Sequence, residues 1–176
     1  MRRHIGPVLA LAGLLVAPAT LAGPCGDAAV LEDFAFWVGE WDVHTADGTL
    51  AGHNRIEASE DECRIDEHWT SANGGTGSSI NFRDPLDGSW EQVWHSQNGI
   101  FIRIRGGLAG EDDMLLEGDI HYLRRDVAAP FRGRWTLLAD GRVRQFFEQF
   151  DAEADAWQPW FEGFYSRSPA QTEDTP

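Results

Sequence analysis

From Trp37 to Arg167 apolar and polar residues alternate with a period of two, broken at short intervals by turn sequences, and this pattern constrains the fold more than any other feature. A period of two sends successive side chains to opposite faces of a strand. Trp37-Val38-Gly39-Glu40-Trp41-Asp42-Val43 opens the series. Residues 52–60, 63–70, a stretch through Ser78, Ile80 and Phe82, and then 90–94, 100–105, 114–123, 131–138, 142–150 and 156–167 continue it. Asp84-Pro85-Leu86-Asp87-Gly88, Asn98-Gly99 and Asp140-Gly141 interrupt it. These favour tight turns because glycine and asparagine tolerate positive φ and proline presets φ at about −65°. About ten short strands at near-regular spacing predict an all-β antiparallel sandwich or barrel, and connections this short favour an up-and-down barrel. A short helix over residues 28–36, with Leu31, Phe34 and Trp37 on one face, is expected ahead of it.

The first residues bear on compartment. Arg2 and Arg3 precede an apolar run over 8–16, then Pro18 and the small-residue stretch Ala19-Thr20-Leu21-Ala22. This is the layout of a cleaved signal peptide, residues 1–22, with cleavage after Ala22, and the apolar run is too short to span a bilayer. A periplasmic or secreted protein is expected, with one barrel domain over 23–168 and a polar, disordered tail over 169–176. In an oxidising compartment the pair Cys25 and Cys63 reads as a disulfide, with two unpaired thiols as the alternative. The formal net charge of −15, with every cation an arginine or histidine, argues against nucleic acid and anionic membrane surfaces as partners.

Several fragments resemble a bacterial domain-of-unknown-function family, number 1579, whose members are lipocalin-like barrels. They are Phe36-Trp37-Val38-Gly39-Glu40-Trp41-Asp42-Val43, Ile65-Asp66-Glu67-His68-Trp69, Gly77-Ser78-Ser79-Ile80-Asn81, Trp90-Glu91-Gln92-Val93-Trp94, Asp140-Gly141-Arg142-Val143-Arg144-Gln145 and Tyr165-Ser166-Arg167. The resemblance implies a fold and no assigned reaction. Gly39-x-Trp41 also resembles the first-strand signature of lipocalins, in which the tryptophan plugs one barrel end beneath an arginine of the closing strand. That resemblance implies a structural role for Gly39, Trp41 and Arg167.

Alternation sorts the remaining candidates. With Trp41 and Val43 inward, Glu67 and Trp69, Ile80 and Phe82, Gln92 and Trp94, Ile104, and Gln145 and Phe147 are expected to line an aromatic-rich lumen. Trp157, Phe161 and Tyr165 are expected to share one face. Such a lumen fits an exported small-molecule-binding protein holding a mostly apolar ligand, oriented by Glu67, Gln92 and Gln145. The alternatives are a packed barrel whose exposed Phe101, Phe146, Phe150 and Trp160, with Arg103, Arg105 and Arg144, meet a protein partner, and an enzyme using Glu67 as general base, with Glu148 a second carboxylate. No nucleophile, phosphate-loop or zinc-hydrolase motif is present. His44, His53, His68, His95 and His121 lack metal-ligand spacing, so no metal or cofactor is expected. A haem-binding barrel family places its histidine near the C-terminus, where this chain has none after His121; haem would need His53 or His95 to point inward. Oligomeric state is not encoded in any pattern found.

Overall fold

The computed structural model describes residues 25, 28–60 and 62–169. The expected signal peptide and its cleavage site, and the expected tail beyond Pro169, lie outside the described residues. A 3-10 helix, Ala28–Trp37, leads into ten strands: β1 (Gly39–His44), β2 (Leu50–Ala58), β3 (Arg64–Ser71), β4 (Thr76–Arg83), β5 (Trp90–Ser96), β6 (Ile100–Leu108), β7 (Asp113–Tyr122), β8 (Val127–Leu137), β9 (Val143–Asp151) and β10 (Ala156–Arg167). Each strand pairs antiparallel with its neighbours in sequence, and β1 pairs with β10 through Trp41↔Arg167 and Val43↔Tyr165, so the sheet closes into a barrel. Closure leaves no strand edge to recruit another chain. The turns form where the dipeptides fall: Gly99 and Gly141 adopt φ of 78° and 82°, a region that L side chains rarely enter.

Because successive strands run in opposite directions, the two ends of the barrel are built differently. The end at Gly39, Arg64, Trp90 and Val143 is closed. There Phe34 and Trp37 of the helix stack on each other at 4.9 Å, and Phe34 meets Trp90 and Trp135 edge-on at 5.6 and 5.4 Å. All four side chains are buried to 1% exposure or less. Burying rings of this size is worth about 1.5–3 kcal/mol each. The Trp41 indole donates to the Trp37 carbonyl at 2.8 Å, and the Arg167 guanidinium lies 3.8 Å over the Trp41 ring while donating to the Val38 carbonyl at 2.8 Å. Gly39, at φ 144°, passes so close beneath Arg167 that a Cβ there would overlap the guanidinium. Gly39, Trp41 and Arg167 thus meet at one point. The Cys25–Cys63 disulfide anchors the chain before the helix to the turn that opens β3.

The opposite end carries only short turns, over 45–49, 72–75, 97–99, 123–126 and 152–155. The outer face is a ladder of ion pairs: Arg103–Glu91, Arg105–Asp87, Arg132–Glu148, Arg134–Asp113 and Arg144–Glu162. Among the described residues no helix is long and apolar enough to cross a membrane.

Candidate functional site

The inner wall is layered. β3 presents Ile65, Glu67 and Trp69 inward, β5 presents Trp90, Gln92 and Trp94, and β9 presents Val143, Gln145 and Phe147. Each triplet runs apolar at the closed end, polar at mid-height and aromatic toward the open end. The polar layer is continuous. Gln92 Nε2 donates to Asn81 Oδ1 at 2.8 Å, Asn81 Nδ2 to Ser79 Oγ at 2.9 Å, and the Ser79 hydroxyl to Glu67 Oε2 at 2.6 Å. From the other side, Asn54 Nδ2 donates to Glu67 Oε1 at 2.7 Å and to the Tyr165 hydroxyl at 3.2 Å, and that hydroxyl donates to Gln145 Oε1 at 2.7 Å. Strands β9, β10, β2, β3, β4 and β5 are tied together by this belt. The facing wall, Ile102 and Ile104 of β6 with Leu116 and Ile120 of β7, is apolar.

Glu67 sits where the two arms of the belt converge. It is buried, both its oxygens accept, and among the described residues no arginine or histidine is buried. Burial pushes its carboxyl above the ordinary value, against the pull of the bonds from Ser79 and Asn54. Burial, and then the charge of Glu67, push the Tyr165 phenol well above its own. Asn54 Oδ1 is buried without a hydrogen-bond partner.

Above the belt a cavity of about 160 Å³ opens toward the turn end, lined by Glu67, Trp69, Trp94, Ile102, Gln145, Phe147, Trp160, Phe161 and Tyr165. Four of its rings lie on glycines. A Cβ at Gly52 would come within 2.7 Å of Trp69, at Gly77 within 2.4 Å of Trp94, at Gly133 within 2.4 Å of Phe147, and at Gly163 within 2.8 Å of Phe161. Missing side chains let rings from a neighbouring strand, or in the case of Phe161 from the same strand, lie against the wall. Trp160 reaches over the mouth, 5.3 Å from Phe131 and 6.2 Å from Phe147, with its indole donating to the Tyr122 hydroxyl at 3.0 Å.

Of the residues expected from the sequence to line a ligand site, Glu67, Trp69, Trp94, Gln145 and Phe147 stand around this cavity. Gln92 and Ile104 point inward but are buried and lie outside the cavity lining. Ile80 and Phe82 are corrected. β3 and β4 pair Glu67 with Ser79 and Ile65 with Asn81, which turns Ser79 and Asn81 inward and leaves Ile80 46% exposed and Phe82 half-buried on the outer face. A buried carboxylate needs donors, and Ser79 and Asn81 supply them where isoleucine and phenylalanine cannot. On β10 a bulge between Pro159 and Phe161 inserts Trp160. It moves Trp157 to the outer face, against Phe150 and under Arg132, away from Phe161 and Tyr165. The same bulge brings Trp160 to the mouth instead of the outer surface where the alternation put it.

Sequence reasoning missed Ile102, Trp160, the glycine floor, and Asn54, Ser79 and Asn81. Gly52, Gly77, Gly133 and Gly163 were visible as glycines inside strands, a signal of close approach. Elsewhere Phe101 packs on His121 and Phe146 on Arg144, while Arg103, Arg105 and Arg144 are engaged by Glu91, Asp87 and Glu162. Glu148 pairs with Arg132 on the outer face, as His53 does with Asp42 and His95 with Ser78. Among the described residues no cluster of His, Cys, Asp and Glu is arranged to hold a metal. Compared with known protein families and with curated proteins, the chain matches none.

Proposed function

We propose that this protein is exported and binds one small, largely apolar molecule at the open end of a lipocalin-like, up-and-down barrel. The observation that carries the reading is the aromatic cavity of about 160 Å³ floored by Glu67, Gln145 and Tyr165. Binding sites pair such apolar walls with a few convergent polar groups. Volume sets the ligand class: a cavity of roughly 150 Å³ accepts one benzene ring, whereas drug-sized pockets run to about 300–1,000 Å³. A molecule of about one ring therefore fits; a haem or a long acyl chain does not without displacing Trp160 or Phe161. The disulfide supports an oxidising compartment. The fragments between Phe36 and Arg167 support a kinship with the family of unknown function 1579.

Native mass spectrometry of the protein purified from its own host tests the reading, together with NMR titration of the tryptophan indole signals with benzyl alcohol. A co-purifying mass of one small molecule per chain is expected, as are shifts at Trp69 and Trp94. An empty protein whose indole signals do not move under titration would sink it. A second reading, Glu67 as general base, is favoured by its raised pKa and its place on the cavity floor. Full retention of any discovered turnover by Glu67→Gln would end that one.

A further inference from the structure

Resting on that reading of the cavity, we infer that the molecule held there is a small organic cation, an amine whose ammonium group faces Glu67 and whose carbon body lies among Trp69, Trp94, Trp160 and Phe161.

The polar belt has a direction. Asn81 Nδ2 donates to Ser79 Oγ, so the Ser79 hydrogen is left for Glu67; Asn54 uses both amide hydrogens, on Glu67 and on Tyr165. Hydrogens from both sides thus point at one carboxyl group, which accepts and does not donate. Those donors favour the ionised carboxylate and burial disfavours it, and no cation within the described barrel resolves that opposition. Arg167, the one cation whose position on β10 turns it inward, closes the far end over Trp41 and bonds to the Val38 carbonyl. A buried carboxylate held by hydrogen bonds alone is costly, and a cation arriving from the cavity removes that cost.

Two further features agree. Glu67 is on the cavity lining. The walls are indole and phenyl rings, whose quadrupoles attract ammonium groups in dry pockets. An anion would find the opposite: a carboxylate on the floor, no positive side chain on the cavity lining among the described residues, and a chain of formal net charge −15. A wholly apolar ligand would leave the carboxylate uncompensated.

Benzylamine and benzyl alcohol, nearly equal in shape and different in charge, separate the cases. Isothermal titration of the full chain near pH 7, in two buffers of different ionisation enthalpy, reads affinity and proton exchange together. The titratable side chains turned into the barrel, among the described residues, are Glu67 on β3, Tyr165 on β10 and Tyr122 at the mouth. Tyr165, pushed upward by burial, stays neutral, so a proton released on binding comes from Glu67. Benzylamine is expected to bind about tenfold or more tightly than benzyl alcohol, with release of up to one proton, and Glu67→Gln is expected to abolish both the preference and the release. Equal affinities without proton release would overturn the cation while leaving the small-molecule reading intact; binding of neither compound would overturn both. Should Glu67→Gln fail to fold, the ratio of benzylamine to benzyl alcohol affinity in the wild-type protein decides the question alone.

Discussion

The two ends of the barrel use the same residue types for opposite ends. At the closed end Trp37, Trp90 and Trp135 are buried together, because a helix brings Phe34 and Trp37 down onto rings rising from β5 and β8. At the open end, among the described residues, Trp69, Trp94 and Phe161 have no helix above them and rest on glycines, so they pave a wall instead of plugging a hole. Tryptophan content alone does not tell a core from a pocket. What distinguishes them is whether the neighbouring strand offers a side chain or a glycine, and whether a separate element covers the end.

The comparison breaks first at its strongest point. Trp135→Ala removes the ring shared by Phe34, Trp37 and Phe147 and should cost about 3–5 kcal/mol in urea unfolding; a loss below 1 kcal/mol would show that the closed end is not a packed plug. Next, replacing Cys25 and Cys63 together by alanine should cost about 2–4 kcal/mol, since the bridge constrains residues separated by 38 in sequence. Trp160→Ala, by contrast, removes a ring 36% exposed at the mouth. It should change stability by only about 1 kcal/mol or less, while speeding ligand release in stopped-flow fluorescence. An equal stability loss at Trp160 and Trp135 would erase the distinction between the ends.

The smallest effect belongs to the polar layer between them. Glu67 has its pKa raised by burial, so the folded state binds its proton more tightly than the unfolded chain does. That contribution is present at low pH and is lost as pH rises from the ordinary carboxyl value through the raised one. Asp42 and Asp140 have lowered values and act in the reverse sense, losing stability as pH falls. Their effects cancel when wild type and Glu67→Gln are compared. The stability difference between the two should shift toward the glutamine variant as pH rises above the ordinary carboxyl range; a constant difference would mean that Glu67 titrates normally.

Much of the fold was legible because a barrel wall repeats one local rule. Hydrophobic alternation located every strand, and Asn98-Gly99 and Asp140-Gly141 marked turns through backbone preferences that need no tertiary partner. The site was legible on β3, β5 and β9, where Ile65-x-Glu67-x-Trp69, Trp90-x-Gln92-x-Trp94 and Val143-x-Gln145-x-Phe147 keep a strict period. It failed on β4 and β10 for different reasons. On β4 both faces are plausible by hydrophobicity, and the choice is made by Glu67 across the ladder at Ser79. On β10 one inserted residue at Trp160 resets the period, which alternation counted from either end cannot detect.

By itself, then, the sequence determined an all-β chain, its turns and the inward side of most strands, because those follow from local backbone preference and from burying apolar surface. Only the tertiary structure decided that the barrel closes through β1 and β10, that Ser79 and Asn81 face inward in place of Ile80 and Phe82, and that Trp160 covers the mouth. Each of those depends on what a neighbouring strand presents across the sheet. A buried carboxylate draws donors to itself, and a glycine yields room to a ring, whatever the hydrophobicity of the residues beside them.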